Sequence, residues 1–584
     1  MYKRLFAVLI VAAVATLAAA CGSRERPADA DVIVIGAGIA GLAAALEAGD
    51  AGAQVLVLDA NSVAGGHAVM AGGLFLVGTP LQAAKGVQDS PDLAFADIMK
   101  WGEDADPGWV RRYVEASRTE VHDWLVSLGV EFRMLLPAPG ETSVPRFHFA
   151  KGAAAGVVLP MMRKAFAAPN LRFVFNTEAT GLERTPSGQW RIGVRNLRDG
   201  APGSLVASSV VVATGGFEND IGRVKANWPP GIEQPERLLL GAGRFARGTG
   251  LDLGRQAGAR IGRLDHQTIF VTGLPDPRDP AGSHGLLAQN PAAIFVDRDG
   301  RRFVDETASR KVHERKVLAM PGQGYWLVFD STGLRQLQVR GAPWLTAASL
   351  QREILDNAAL VSRADDIATL AAAAGLPAAA LGETIARFNA LVAKGEDQDF
   401  GRFGPGSAGA VPKPLVTPPY YAVRLYPMTR KSMGGLAIDD ETRVLSETGQ
   451  AMPGLYAAGE ASGVAGINGR VGGSGTFLGP SVLTGRIAGR AAAAFAAEQK
   501  VSVRPPAAGT DDRASAGPLA LDAQALATQV AAQQAGFWHF GVAHSLVLER
   551  GEDCATCHNG DWPIGPARDA TARQAQLASC TRCH

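Results

Sequence analysis

The chain has 584 residues, 47% of them apolar, which exceeds one domain and supplies a sizeable core. Its 57 basic and 56 acidic residues leave a net charge of +1, so the charge balance gives no sign of a nucleic acid partner. No repeat of solenoid period is visible.

Residues 1–21 read as an export signal. Lys3 and Arg4 precede an apolar run from Leu5 to Ala20, short of the ~20 residues that a spanning helix needs. Leu17-Ala-Ala-Ala-Cys21 resembles a bacterial lipoprotein signal, in which the cysteine is lipidated and becomes the mature N-terminus. An ordinary signal peptide, with Cys21 incidental, is the alternative. The expectation is a periplasmic protein, anchored by lipid to a bacterial membrane.

Asp31-Val-Ile-Val-Ile35 predicts a buried strand, and Gly36-Ala-Gly38-Ile-Ala-Gly41 follows at once. An alanine-rich helix to about Glu47 comes next, then a strand Val55–Leu58 ending in Asp59. Together these form the dinucleotide fingerprint. The glycines let a helix N-terminus approach a pyrophosphate, and Asp59 can accept from a ribose. A tight turn with no ligand is the bland alternative. The continuation favours FAD over NAD: Gly65-Gly66 and Gly72-Gly73 add a second glycine cluster. Val210-Val-Val-Ala213-Thr-Gly215-Gly and Gly454-Leu-Tyr-Ala-Ala-Gly459-Glu460 then repeat a strand-into-glycine pattern far downstream. No second nicotinamide-binding module is visible.

Ala293–Asp297, the turn Arg298-Asp-Gly300 and Arg301–Asp305 predict a hairpin. Residues 498–518 have linker composition, and 519–584 close the chain. Four of the five cysteines, Cys554, Cys557, Cys580 and Cys583, fall in two Cys-x-x-Cys-His motifs. In such a motif both thiols can add to the vinyl groups of one haem, and the histidine ligates its iron. A zinc ribbon has similar cysteine spacing but no need of those histidines. Two covalent haems c are therefore expected, with His558 and His584 as proximal ligands. Residues 501–584 contain no Met or Lys, which leaves His539 and His544 as the remaining axial ligands and keeps both potentials low.

The glycine clusters resemble the flavoprotein family of fumarate reductases, succinate dehydrogenases, urocanate reductases and 3-ketosteroid dehydrogenases, over about residues 30–497. Ser143–His148, Arg430-Lys-Ser-Met-Gly-Gly435 and Gly475-Thr-Phe-Leu-Gly479 are most similar to the ketosteroid-dehydrogenase-like branch. Fusion to c-type haems in an exported chain resembles the flavocytochrome c fumarate reductases, whose haems are N-terminal. The resemblance implies an α/β fold: a doubly wound Rossmann-like FAD domain (29–261 and 432–497), an inserted α+β capping domain (262–431) and a small helical dihaem module. It sets Thr476 and Leu478, with the glycines above, at the cofactor. His67 lies where succinate dehydrogenases attach flavin, but its spacing differs by one residue, so noncovalent FAD is expected.

By the same resemblance His266 and Arg470 bind a substrate carboxylate, and Arg310 delivers a proton. Lys431 stands where the fumarate reductases have a histidine. Leu286 and Gln289 stand where those enzymes relay protons to the arginine, so His313 or Tyr421 becomes an alternative acid–base group. An arginine stays protonated unless something resupplies what it gives away. The sequence therefore implies a flavocytochrome c that moves electrons between haems and FAD, reducing or forming a C=C bond beside an electron-withdrawing group. Its partners would be a small-molecule substrate and a periplasmic or quinol-linked cytochrome. A ketosteroid-like dehydrogenase passing electrons to the haems, or an electron-transfer subunit without its own substrate, are the alternatives.

Overall fold

The computed structural model describes residues 27–505, except positions 62, 139, 343, 406 and 408. The export signal with Cys21, most of the linker, and every haem-motif cysteine and histidine lie outside the described residues. So do His539 and His544.

β1 (Ala30–Ile35) and β2 (Val55–Leu58) are aliphatic and almost wholly buried, as central strands of a parallel sheet must be. They pair in parallel, with Val32 opposite Val55 and Ile35 opposite Leu58. α1 (Ile39–Asp50) joins them, three residues longer than its alanine pattern suggests, and Gly52 at φ +89° turns the chain back. β3 (Leu171–Val174) extends the sheet past β2. β4 (Thr177–Arg184) and β5 (Trp190–Asn196) form an antiparallel pair that continues into β6 (Pro202–Val212), which lies parallel to β1.

The chain then builds a second sheet. Its main strands are β7 (Gln267–Pro275), β8 (Gly285–Gln289), β9 (Ile294–Val296), β10 (Tyr325–Asp330), β11 (Gln338–Arg340) and β12 (Tyr420–Ser432). Their order is β9-β10-β12-β7-β8-β11. α2 (Arg310–Leu318) packs on β7. Alternation gives this sheet two apolar faces: Phe295, Leu327, Phe329 and Val423 on one, and Ile294, Val296, Val328 and Ala422 on the other. β13 (Arg443–Leu445) and β14 (Ala451–Ala457) return to the first sheet, whose order is β13-β14-β6-β1-β2-β3, and α3 (Leu478–Gln499) follows.

The mixed α/β class agrees with expectation, with one difference in detail. Helices α1 and α3 cover one face of the first sheet, but Leu182, Trp190 and Ile192 of the β4–β5 pair cover much of the other. α1 and α3 touch backbone to backbone: a Cβ on Gly485 or Gly489 would come within 2.3 Å of Ala40 O or 2.2 Å of Ala44 O. The predicted hairpin after Ala293 is a correction. Its turn forms, with Asp297 N–H donating to Arg301 O, but the arms share only the Val296–Arg302 bridge. Arg302 is drawn instead to Glu306 and Asp397, and β9 pairs with β10. Among the described residues, no helix is long and apolar enough to cross a membrane.

Candidate active site

The fingerprint glycines do two kinds of work. A Cβ on Gly36 would lie 2.4 Å from Ala213 O, and one on Gly41 would lie 1.8 Å from Gly36 O, so packing alone excludes side chains there. Gly38 and Gly215 have nothing within 4 Å of that position. Gly65 N–H donates to Ala37 O, which brings Gly65-Gly66 against the same turn. Gly72 and Gly73 pack on the strand Phe147–Ala150, a Cβ on Gly73 falling 2.1 Å from His148 O. Asp59 accepts Ala37 N–H at 2.6 Å and Asn61 N–H at 2.7 Å; burial pushes its carboxyl up to about 6 against the pull of those bonds.

Neither α1 nor α3 has a side-chain cap at its N-terminus. Gly459 holds the two ends together, since a Cβ there would lie 2.9 Å from Ala40 Cβ and 3.4 Å from Ser481 Oγ. Two uncapped helix ends beside open glycines suit a pyrophosphate. Two further buried atoms have no partner among the described residues: His67 Nε2 and Glu460 Oε1. The residues present therefore fit FAD. Leu478 opens α3, while Thr476 is spent internally, donating to Asn468 Oδ1 and Gly473 O and so shaping the preceding loop.

A charged cluster lies at the ends of β7 and β12, where Thr268 pairs with Lys431 and Gln267 with Ser432. Arg310, at the start of α2, donates to Gly472 O, and its guanidinium lies 4.9 Å from the Phe270 ring centre. Arg430 covers the same ring at 5.7 Å and donates to Gly241 O. Lys431 Nζ stands 3.8 Å from the Phe477 ring centre. Burial draws this ammonium down to about 8, Glu460 opposes the shift, and Arg430 and Arg310 add to it. Burial, then the charge of Glu218, pushes Glu460 up to about 8, while Lys431 and Arg430 pull the other way. Glu218 is raised chiefly by burial, and its carboxyl meets Ser432 Oγ around Gly216. Burial and the two neighbouring cations keep His67 neutral.

His266 and Arg470 are brought together by shared carboxylates. Both imidazole nitrogens are taken, Nδ1 by Asp265 at 2.9 Å and Nε2 by Asp104 at 2.8 Å. Arg470 donates to Asp265 at 3.0 Å. Burial would raise both carboxyls, but His266 and Arg470 hold them below their usual range. Next to Asp104, Glu103 pairs with Lys311 and Arg315 of α2. The alternative acid–base groups face away from the cluster: His313 is bonded to Asp305 O beside Phe295, and Tyr421 stacks on Phe329 in the core of the second sheet. Leu286 is buried in that core, and Gln289 accepts from Arg340.

Sequence reasoning missed Asp104, Asp265, Glu218, Glu314 and Arg430. Adjacency to His266 flags Asp265, and the one-turn spacing from Arg310 flags Glu314. Asp104 arrives from 162 residues away, with no local signal.

A parallel sheet that presents a nucleotide-binding turn, joined to a second sheet that brings buried cations to it, defines a flavin-dependent oxidoreductase. The chain belongs to the family described as the FAD binding domain, whose model matches residues 31–478. It is 31% identical over 475 residues to the fumarate reductase (cytochrome) of Shewanella frigidimarina, covering 80% of this chain and 77% of that protein. A KsdD-like steroid dehydrogenase of Mycobacterium tuberculosis is 31% identical over 562 residues, covering 81% and 98%. Among solved structures, the open conformation of a flavocytochrome c3 fumarate reductase aligns with a TM-score of 0.65 at 28% identity, covering 82% of this chain and 80% of that one. The 3-ketosteroid-Δ4-(5α)-dehydrogenase of Rhodococcus jostii RHA1, in complex with 4-androstene-3,17-dione, aligns at 0.61 and 27%, covering 81% and 99%.

Proposed function

We propose that this protein is an exported, lipid-anchored flavocytochrome c that reduces or forms a C=C bond beside an electron-withdrawing group. One observation carries the catalytic part. The loop that leads into α3 takes the Arg310 guanidinium on Gly472 O and sets Phe477 under Lys431, one residue before the helix end suited to the cofactor. Groups able to stabilise charge on a substrate are in this way tied to the flavin-binding backbone. The cofactor would be held noncovalently by the Gly36–Gly41 turn, Gly65, Gly66, Asp59, Gly215, Gly459, Glu460 and Leu478, within a flavin domain of 29–261 and 432–497 capped by 262–431. When bound, FAD supplies a junction between two-electron and one-electron transfer.

Arg310, Arg430 and Lys431 would stabilise the negative charge that builds on a carbonyl or carboxylate during the reaction, and Arg310 would hold the proton exchanged at carbon. Phe270 lies against Arg310 and Arg430, and Phe477 against Lys431, so the two rings orient all three cations. The two haems, bound through Cys554, Cys557, Cys580 and Cys583 and ligated by His558, His584, His539 and His544, would exchange electrons with a periplasmic or quinol-linked cytochrome.

A second reading, a ketosteroid-like dehydrogenase passing electrons out through the haems, is favoured by the Asp104 and Asp265 carboxylates on His266 and Arg470. Carboxylates already occupy both side chains, which suits a ketone better than a dicarboxylate.

The test is purification of the exported protein, haem staining of a denaturing gel, and optical titration with fumarate and with 4-androstene-3,17-dione. A haem-stained band, noncovalent FAD and redox turnover with one of the two compounds are expected. A colourless band containing zinc refutes the flavocytochrome, and noncovalent FAD that neither compound oxidises nor reduces refutes this substrate class.

A further inference from the structure

Arg310 can serve as an acid only if a neighbour resupplies its proton, and neither Leu286, buried in apolar core, nor Gln289, engaged with Arg340, can do so. Another group stands closer. Glu314 is one helical turn beyond Arg310 on α2, the spacing at which side chains share a face. It faces β7, whose Ile269 N–H donates to its Oε1 at 3.5 Å, and the next residue, Phe270, carries the Arg310 guanidinium on its ring. Glu314 and Arg310 therefore converge on two consecutive residues of one strand.

We propose that Glu314 is the proton reservoir for Arg310: its carboxyl reloads the guanidine after Arg310 has given a proton to the substrate carbon. The inference rests on the reading of Arg310 as the proton-exchanging group. In the reducing direction the Arg310 N–H bond breaks as the C–H bond forms, leaving a neutral guanidine. No direct bond joins the two side chains, so a water between them gives an O–H proton to the guanidine as it takes the Glu314 proton, and solvent then reloads the carboxylate. In the oxidising direction each transfer runs backwards. No electrons move in these steps.

The surroundings suit the task. Burial raises the Glu314 carboxyl to about 7, against the charge of Arg310, the Ile269 N–H and the charge of Arg315. An ordinary glutamic acid, near ~4.3, would hold almost no proton at neutral pH, whereas this one is about half loaded. Transfer from it to a neutral guanidine, a far stronger base than a carboxylate, is downhill. The charged groups bearing on the pair are few. Arg315 shares the helix, β7 carries no titratable side chain, and Arg430 and Lys431 reach Arg310 from the neighbouring β12. Among the described residues Arg310 forms no ion pair; its contacts go to Gly472 O and Phe270. A role for Glu314 as a mere salt-bridge anchor for Arg310 does not fit that geometry.

The test compares full-length wild type, E314Q and E314D. Infrared titration over about pH 5–9, read as wild type minus E314Q, should isolate one protonated carboxyl lost near neutral pH, apart from those of Asp59 and Glu460, which both proteins keep. This arm needs no substrate. Fumarate with a reduced viologen, and 4-androstene-3,17-dione with an oxidised dye, probe the two directions of turnover. Reduction should fall in the wild type as pH rises through about 7, oxidation should rise, and E314D should keep both trends. E314Q should lose about tenfold or more and show no inflection there. An E314Q enzyme with the wild-type pH profile, or a difference titration with no carboxyl lost near neutral pH, overturns the proposal. Failure of the underlying reading would show separately, as R310K turning over at the wild-type rate while the infrared band persists.

Discussion

Replacing Gly38 and Gly41 by alanine, one at a time, separates what the nucleotide turn needs for its own packing from what it needs for a ligand. Gly38 has φ −71° and ψ −177°, open to alanine, and a Cβ there would meet nothing within 4 Å. G38A should fold as the wild type does, within ~0.5 kcal/mol. Its methyl group stands where a pyrophosphate would meet the uncapped N–H groups of α1. Holding the phosphate off by a methyl radius loses at least one charge-assisted hydrogen bond, ~1.5–3 kcal/mol, or about 10–150-fold in FAD affinity. Gly41 is the opposite case, because its Cβ would lie 1.8 Å from Gly36 O and 3.3 Å from Val34 Cγ1. Ordinary contact needs ~3.5 Å, so the turn must move by more than an ångström, at an overpacking cost of ~1–3 kcal/mol. Thermal unfolding of the flavin-free proteins and quenching of FAD fluorescence on titration measure the two effects. Undiminished FAD affinity in G38A, or an unchanged Tm in G41A, would refute the reasoning.

R310K keeps a charge but loses the planar fork on Gly472 O and Phe270; it should bind FAD normally and lose ~10²–10³ in turnover, and a wild-type rate would remove Arg310 from the mechanism. D89A should lower Tm steeply, because Arg146 and Asp89 are both fully buried at 2.7 Å and breaking such a pair costs ~3–5 kcal/mol; a loss under ~1 kcal/mol would show that Asp97 alone suffices. Stability of the flavin-free protein should fall as pH rises from about 6.5 to 8. The carboxyls of Glu314 and Glu460, at about 7 and about 8, bind protons in the folded state that the unfolded chain, at 4.5, has released. E460Q should flatten this slope; a variant with the wild-type slope assigns the effect elsewhere.

The local pattern alone determined the nucleotide turn. The run from Asp31 to Asp59 is a strand, a glycine turn, a helix and a strand whose order of residue types is complete within about 30 residues, although β6, β3 and α3 pack on it from far along the chain. Arg310 and Lys431 were legible for a different reason, since family resemblance marks them; the fold then sets both by the loop Gly472–Phe477. The hairpin ladder stops at the Val296–Arg302 bridge, where the Arg302 side chain is held by two buried carboxylates, Glu306 and Asp397, and β9 pairs with β10.

Only tertiary structure decided what the charged residues face. His266 and Arg470 read as a free carboxylate clamp until Asp104 arrives from a distant helix end to close it. Glu218, Glu460, Lys431 and Arg430 come from three separate stretches of chain, and their ordinary charges are shifted only because the fold buries them together. Periodicity and motif spacing report interactions between near neighbours in sequence. Burial and charge coupling depend on distances across the packed interior, which no local pattern encodes.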